Sequence, residues 1–148
     1  MAEAILDKIG RGRFNAYSAG SAPVPAPMPE VMEKLRALGH DTSKLRSKSW
    51  TEFMGPEAPR MDFIIALCDT PNESCPDLGE KALTGFWPLP DPAQFGGTEL
   101  ERSVMLNQLY SALRRRLEIF CNLPFASLDR MAVKARLDQI GTSSPALA

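Results

Sequence analysis

The sequence predicts an α/β fold: a small parallel sheet flanked by helices. Three observations carry this. Strand candidates and helical patterns run in the order helix, strand, helix, strand, strand, helix, helix, and strands separated by helices pair in parallel. Residues 63–67 (FIIAL) form a continuous apolar run, the pattern of a strand covered on both faces. Leu106, Leu109, Leu113, Leu117 and Phe120 recur near every 3.6 residues, which is one face of a helix. The 148 residues suit one domain, expected over 1–141, with 142–148 as a flexible tail.

The elements follow in order. Residues 2–9 read as a helix with Ile5, Leu6 and Ile9 on one face, ended by Gly10 and Gly12. Residues 13–18 (RFNAYS) read as a short strand. Residues 21–29 (SAPVPAPMP) are proline-rich and read as an extended connection. Pro29 opens the next helix, Val31, Leu35 and Leu38 form its apolar stripe, and Gly39 ends it. Ser49 caps a brief helix around residues 50–53, with Glu52 at its third position. Residues 61–67 are the clearest strand. Residues 82–89 (ALTGFWPL) are a weaker one, placed near a sheet edge by Pro88. Thr98 and Glu101 make a capping box for the long helix. A last helix is expected over about 125–140, with Leu128, Met131 and Ala135 on one face.

Composition excludes several classes of function. Seventeen basic against eighteen acidic residues give a net charge of −1, so no overall basic field holds nucleic acid or an anionic membrane. No apolar run is long enough to span a bilayer, and the start lacks the pattern of a secretory signal. Three cysteines, an odd number, argue for reduced thiols and a cytoplasmic protein.

In a parallel sheet the ligand lies beyond the C-terminal ends of the strands. Those ends carry Ala19-Gly20-Ser21, Cys68-Asp69-Thr70 and Pro90-Asp91-Pro92. Cys68 and Cys75 stand seven positions apart across a proline-bearing loop, which can bring two thiols within disulfide reach. The competing reading is two unrelated thiols, one buried at a strand end. Asp91 between two prolines is a positioned carboxyl group able to protonate a leaving oxygen, or a surface aspartate. His40, the lone histidine, follows a helix-ending glycine and reads as a cap or surface residue. Residues 44–48 (KLRSK) read as a solvated loop, although they could meet an anion. Trp50 and Trp87 read as packing, and Cys121 as buried and inert. No metal set and no cofactor motif occurs.

Several of these segments together resemble a known family. Met1-Ala2-Glu3-Ala4, Tyr17-Ser18-Ala19-Gly20, His40-Asp41, Arg46-Ser47-Lys48, the run from Phe63 to Asp69, Cys75-Pro76 and Trp87-Pro88-Leu89-Pro90-Asp91-Pro92 are similar to thioredoxin-coupled arsenate reductases. These share the low-molecular-weight protein tyrosine phosphatase fold, and the resemblance covers about residues 1–120. It implies a four-stranded parallel sheet with helices on both sides. It also implies a Cys-x5-Arg phosphate-binding loop between the first strand and the Met-Ala-Glu helix.

This chain begins at that helix, so the first central strand, the nucleophile and its arginine are expected to be missing. None of the three cysteines has an arginine six positions on: Ser74 follows Cys68 and Ser127 follows Cys121 at that spacing. The resemblance assigns Cys68 as the second thiol of the cascade, Cys75 as the third, and Asp91 as the phosphatase general acid. It implies arsenate or a phosphate-like oxyanion as substrate, and thioredoxin as reductant if the chain is active. Without the first strand, strands 13–18 and 61–67 should pair directly or take an interchain contact. The extra segment 122–141 should cover apolar surface or build a homodimer. The alternatives are a low-molecular-weight tyrosine phosphatase and a non-catalytic binding or regulatory protein on the same fold.

Overall fold

The computed structural model describes residues 1–20, 26–53, 55–67, 82–92 and 95–142. They fall into two units, Met1–Ala58 and Pro59–Ala148.

In the first unit, helix α1 spans Ala2–Ile9 and buries Ala4 and Ile5. Helix α2 spans Pro29–Ala37, opens on its proline and buries Val31 and Leu35. It ends in a Schellman motif. Gly39, at φ +81°, donates to the Arg36 carbonyl at 3.0 Å, and His40 donates to the Leu35 carbonyl at 2.9 Å. His40 is thereby a cap residue, but it is buried rather than on the surface. Leu38, expected in the apolar stripe, is half-exposed because it falls beyond the last helical turn. A 3₁₀ turn covers Trp50–Phe53. Ser49 supports it through its side-chain oxygen, which accepts from the Thr51 amide at 3.3 Å.

The stretch 13–18 is not a strand. Residues 14–19 take no regular form, and the nearest ladder contact is a single parallel bridge between Gly20 and Ser49. Strand propensity alone does not hold a short segment that lacks a continuous partner. The expected pairing through this stretch therefore loses one of its strands.

In the second unit, β1 (Phe63–Ala66) and β2 (Leu83–Phe86) pair in parallel, with Phe63 opposite Leu83 and Ala66 opposite Phe86. Every residue of β1 is half-buried, not covered on both faces as the apolar run suggests. Helix α3 spans Glu99–Cys121 and buries Leu106, Leu109, Leu113, Leu117 and Phe120, the stripe read from the sequence. Its cap forms as expected: the Thr98 hydroxyl accepts from the Glu101 amide at 3.2 Å and donates to the Glu101 carboxylate at 3.0 Å.

A 3₁₀ turn at Phe125–Ser127 precedes helix α4, Arg130–Thr142. The buried face of α4 is Val133, Leu137 and Ile140, whereas Met131 is 83% exposed. The expected face of Leu128, Met131 and Ala135 is thus out of phase. Asp129 caps the helix by accepting from the Ala132 amide at 2.8 Å, so the helix starts several residues later than the apolar spacing suggests. Phe63, Phe120 and Phe125 pack edge-on or tilted with centroids 5.1–5.6 Å apart, and Trp87 meets Phe120 at 6.2 Å. This aromatic cluster ties β1 and the exit of β2 to α3. Cys121, next to Phe120 in the chain, is buried, as the sequence suggests.

Candidate functional site

Of the sequence-derived candidates, Asp91 follows the end of the second unit where both strands stop. Pairing continues past the strands. The Trp87 amide donates to the Ala66 carbonyl at 2.8 Å, and the Leu89 amide donates to the Leu67 carbonyl at 3.1 Å. Burial alternates along the same stretch: Gly85, Trp87 and Leu89 are buried, and Thr84, Phe86 and Pro88 are exposed. Backbone of strand character therefore runs to Leu89, although Pro88 stands in it. Pro88 does not break the ladder, because alternate residues supply the donors in a parallel pair and 88 falls between them.

Asp91 follows Pro90 two residues beyond that last bond, and it is exposed. Pro92 closes the segment by accepting from the Phe95 amide at 3.3 Å. The prolines at 90 and 92 fix their own φ and restrict the residue before each, so Asp91 sits on stiff backbone. Cys68 and Cys75, the other two candidates, lie outside the described residues. Trp87 is fully buried and acts as packing, as the sequence suggests.

The first unit holds a polar cluster that a reading by charge run misses. Lys48 belongs to the supposedly solvated stretch 44–48, yet its side chain is only 6% exposed. Its ammonium meets the Glu3 carboxylate at 3.4 Å and donates to the Arg46 carbonyl at 3.2 Å. Glu3 also accepts from the Ser18 hydroxyl. The Lys48 carbonyl accepts from the Gly20 amide at 3.0 Å, and the Gly20 carbonyl accepts from Trp50 at 3.2 Å. The first turn of α1, the 18–20 segment and the 46–50 segment are thus joined by one ion pair, one hydroxyl–carboxylate bond and two backbone bonds. Nothing local in KLRSK distinguishes Lys48 from Lys44. The signal lies in the quoted segments: Glu3, Ser18 and Lys48 all fall within stretches that carry the family resemblance.

Arg46 points outward and clamps Glu52 with two bonds, 2.6 and 3.0 Å. That hydrogen-bonded guanidinium holds the Glu52 carboxyl below the ordinary glutamate range and raises the Arg46 pKa in turn. Among the described residues, no group of three or more His, Cys, Asp or Glu side chains is placed to hold a metal ion. Among the same residues, no helix is long and apolar enough to cross a membrane.

Residues 1–130 match the low molecular weight phosphotyrosine protein phosphatase family, and the chain belongs to it. The α/β architecture, a small parallel sheet and four helices among the described residues, agrees with that membership. Two curated relatives are both described as arsenate reductases. The one from Oceanobacillus iheyensis is 26% identical over 120 residues, covering 81% of this chain and 84% of its own. The one from Bacillus licheniformis is 26% identical over 121 residues, with the same coverage of both chains.

Proposed function

We propose that this protein is an arsenate-reductase-like member of its family, acting on arsenate through cysteine thiols. The observation that carries the reading is the bond from Leu89 to Leu67 at the shared strand end. It ties the segment leading to Asp91 to the residue that precedes Cys68 in sequence. Support also comes from the two relatives described as arsenate reductases and from the cysteine pair, which a phosphatase mechanism does not require.

The chemistry requires a first thiol bonded to arsenic. The Cys68 thiolate attacks the sulfur of that adduct, and arsenic leaves with the S–As electron pair as arsenite. The resulting disulfide passes to Cys75, whose thiolate displaces the first thiol and leaves a Cys68–Cys75 bond. A thioredoxin-type dithiol reduces that bond and becomes the disulfide itself. Asp91 supplies a proton to a departing oxygen. None of the three cysteines in residues 1–148 is followed by arginine at the sixth position, so these residues alone should not start the cycle.

The test is arsenate reduction by the 148-residue chain coupled to thioredoxin, thioredoxin reductase and NADPH, with thiols counted alongside. The expected result is no steady turnover, together with loss of two of the three thiols on mild oxidation and their recovery with thioredoxin. That loss should vanish in Cys68→Ser and in Cys75→Ser. Arsenate-dependent NADPH consumption that survives Cys68→Ser would overturn the assignment, as would two thiols that stay free under the oxidant. Membership of the phosphatase family favours a second reading, aryl phosphate hydrolysis. Release of nitrophenol from p-nitrophenyl phosphate with no dependence on either thiol would select it.

A further inference from the structure

We propose that α4 is a positioning strap for the Trp87–Asp91 segment, acting through Trp87. Helix α4 lies almost wholly beyond the stretch that matches the family, which ends at residue 130. It nevertheless grips β2 along its length. The Lys134 ammonium donates to the Thr84 carbonyl. A side chain on Gly85 would meet the Leu137 Cβ at 3.3 Å. The buried Trp87 indole N–H donates to the Leu137 carbonyl at 2.9 Å. A Cβ on Gly141 would fall on the Phe86 carbonyl oxygen, so only glycine lets the last turn of α4 lie against the strand. Lys134, Leu137 and Gly141 thus meet four consecutive residues of β2 and its exit.

The segment beyond is poor in backbone donors. Pro88 and Pro90 cannot donate, so between Trp87 and Asp91 the Leu89 amide is the one available backbone donor, and it is used on Leu67. Pro88 and Pro90 transmit position because their φ angles are fixed. Where α4 places Trp87, a short stiff segment carries that placement to Leu89 and Asp91. Trp87 touches no reacting group; it is a positioning residue. The consequence for chemistry rests on the reading of Asp91 above, but the positioning itself does not.

Amide hydrogen exchange on the full chain tests this, comparing Leu89 with Leu113 in α3. Trp87→Phe keeps one aromatic ring but removes the pyrrole half of the buried indole together with its hydrogen bond, so exchange at Leu89 should rise at least about fivefold. Gly141→Ala should raise it by about tenfold or more, because the added methyl group forces α4 off the strand. Leu113 should stay within about twofold of the parent in at least the glycine variant. Unchanged exchange at Leu89 in both variants would overturn the proposal. So would a parallel rise at Leu89 and Leu113 in both, which is general loosening. Flat exchange with a working thiol relay would remove the strap and keep the site reading. The expected exchange pattern with a failed relay would do the reverse.

Discussion

Lys48→Met removes an ammonium that is only 6% exposed and leaves the Glu3 carboxylate, 15% exposed, with the Ser18 hydroxyl as its remaining donor in that cluster. At 3.4 Å and an effective dielectric of about 20, the gross attraction of the pair is about 5 kcal/mol. Desolvation of both ions offsets much of that in the intact protein, but removing one partner leaves the other's cost uncompensated. Breaking a fully buried pair in this way costs about 3–5 kcal/mol. The Ser18 bond and the residual exposure of Glu3 put this case lower, at about 2–3 kcal/mol. With a denaturant slope of about 1 kcal/mol/M for a small unit, the urea midpoint should fall by about 2 M.

Each unit holds one tryptophan, Trp50 in the first and Trp87 in the second, so fluorotryptophan NMR follows them separately. The Trp50 signal should carry the shift, since Trp50 is bonded to Gly20 and Gly20 to the Lys48 carbonyl. The double variant Glu3→Gln, Lys48→Met should lie within about 1 kcal/mol of the parent, because neither member of the pair is left without the other. A single variant as stable as the parent would refute the reasoning. A double variant that loses the sum of both singles would refute it equally.

Two further outcomes follow from the first unit. The Glu52 carboxyl is held low by Arg46, so this contribution to stability is full above the ordinary glutamate pKa and is lost as pH falls through the depressed value. Carboxyl-carbon NMR should show Arg46→Ala returning Glu52 upward; an unmoved titration would mean that the two-bond clamp is not populated in solution. Gly39→Ala should cost about 1–2 kcal/mol in a thermal or urea melt, because its φ of +81° is unfavourable for a residue with a Cβ. Asparagine there should cost less, and an alanine variant with parental stability would show that the Schellman end is not retained.

Much of the helical framework was legible because its signals are local. Pro29 and Gly39 bound α2, and Thr98 with Glu101 opens α3; each acts within a turn of its own position. The α3 stripe was legible because five apolar residues over four turns leave one choice of face. The same method missed the face of α4, where apolar residues fit more than one phase and the Asp129 cap decides between them. For the candidate site, the sequence marked Asp91 by its flanking prolines. It also marked a strand through 82–89, but it gave no sign that Pro88 leaves the ladder unbroken, since that depends on which side of the strand faces its neighbour.

By itself, then, the sequence determined the α/β class, the parallel order, the extents of α1 to α3 and the family to which the chain belongs. Periodicity, caps and motif residues are properties of neighbours in the chain. The tertiary structure alone decided that residues 13–18 form no strand, that Lys48 and His40 are buried, and that α4 seats on β2 through Gly141. Each of these depends on what a distant segment brings. A strand needs a partner's backbone, a buried cation needs the carboxylate on another element, and a close helix–strand contact needs a glycine opposite a particular carbonyl.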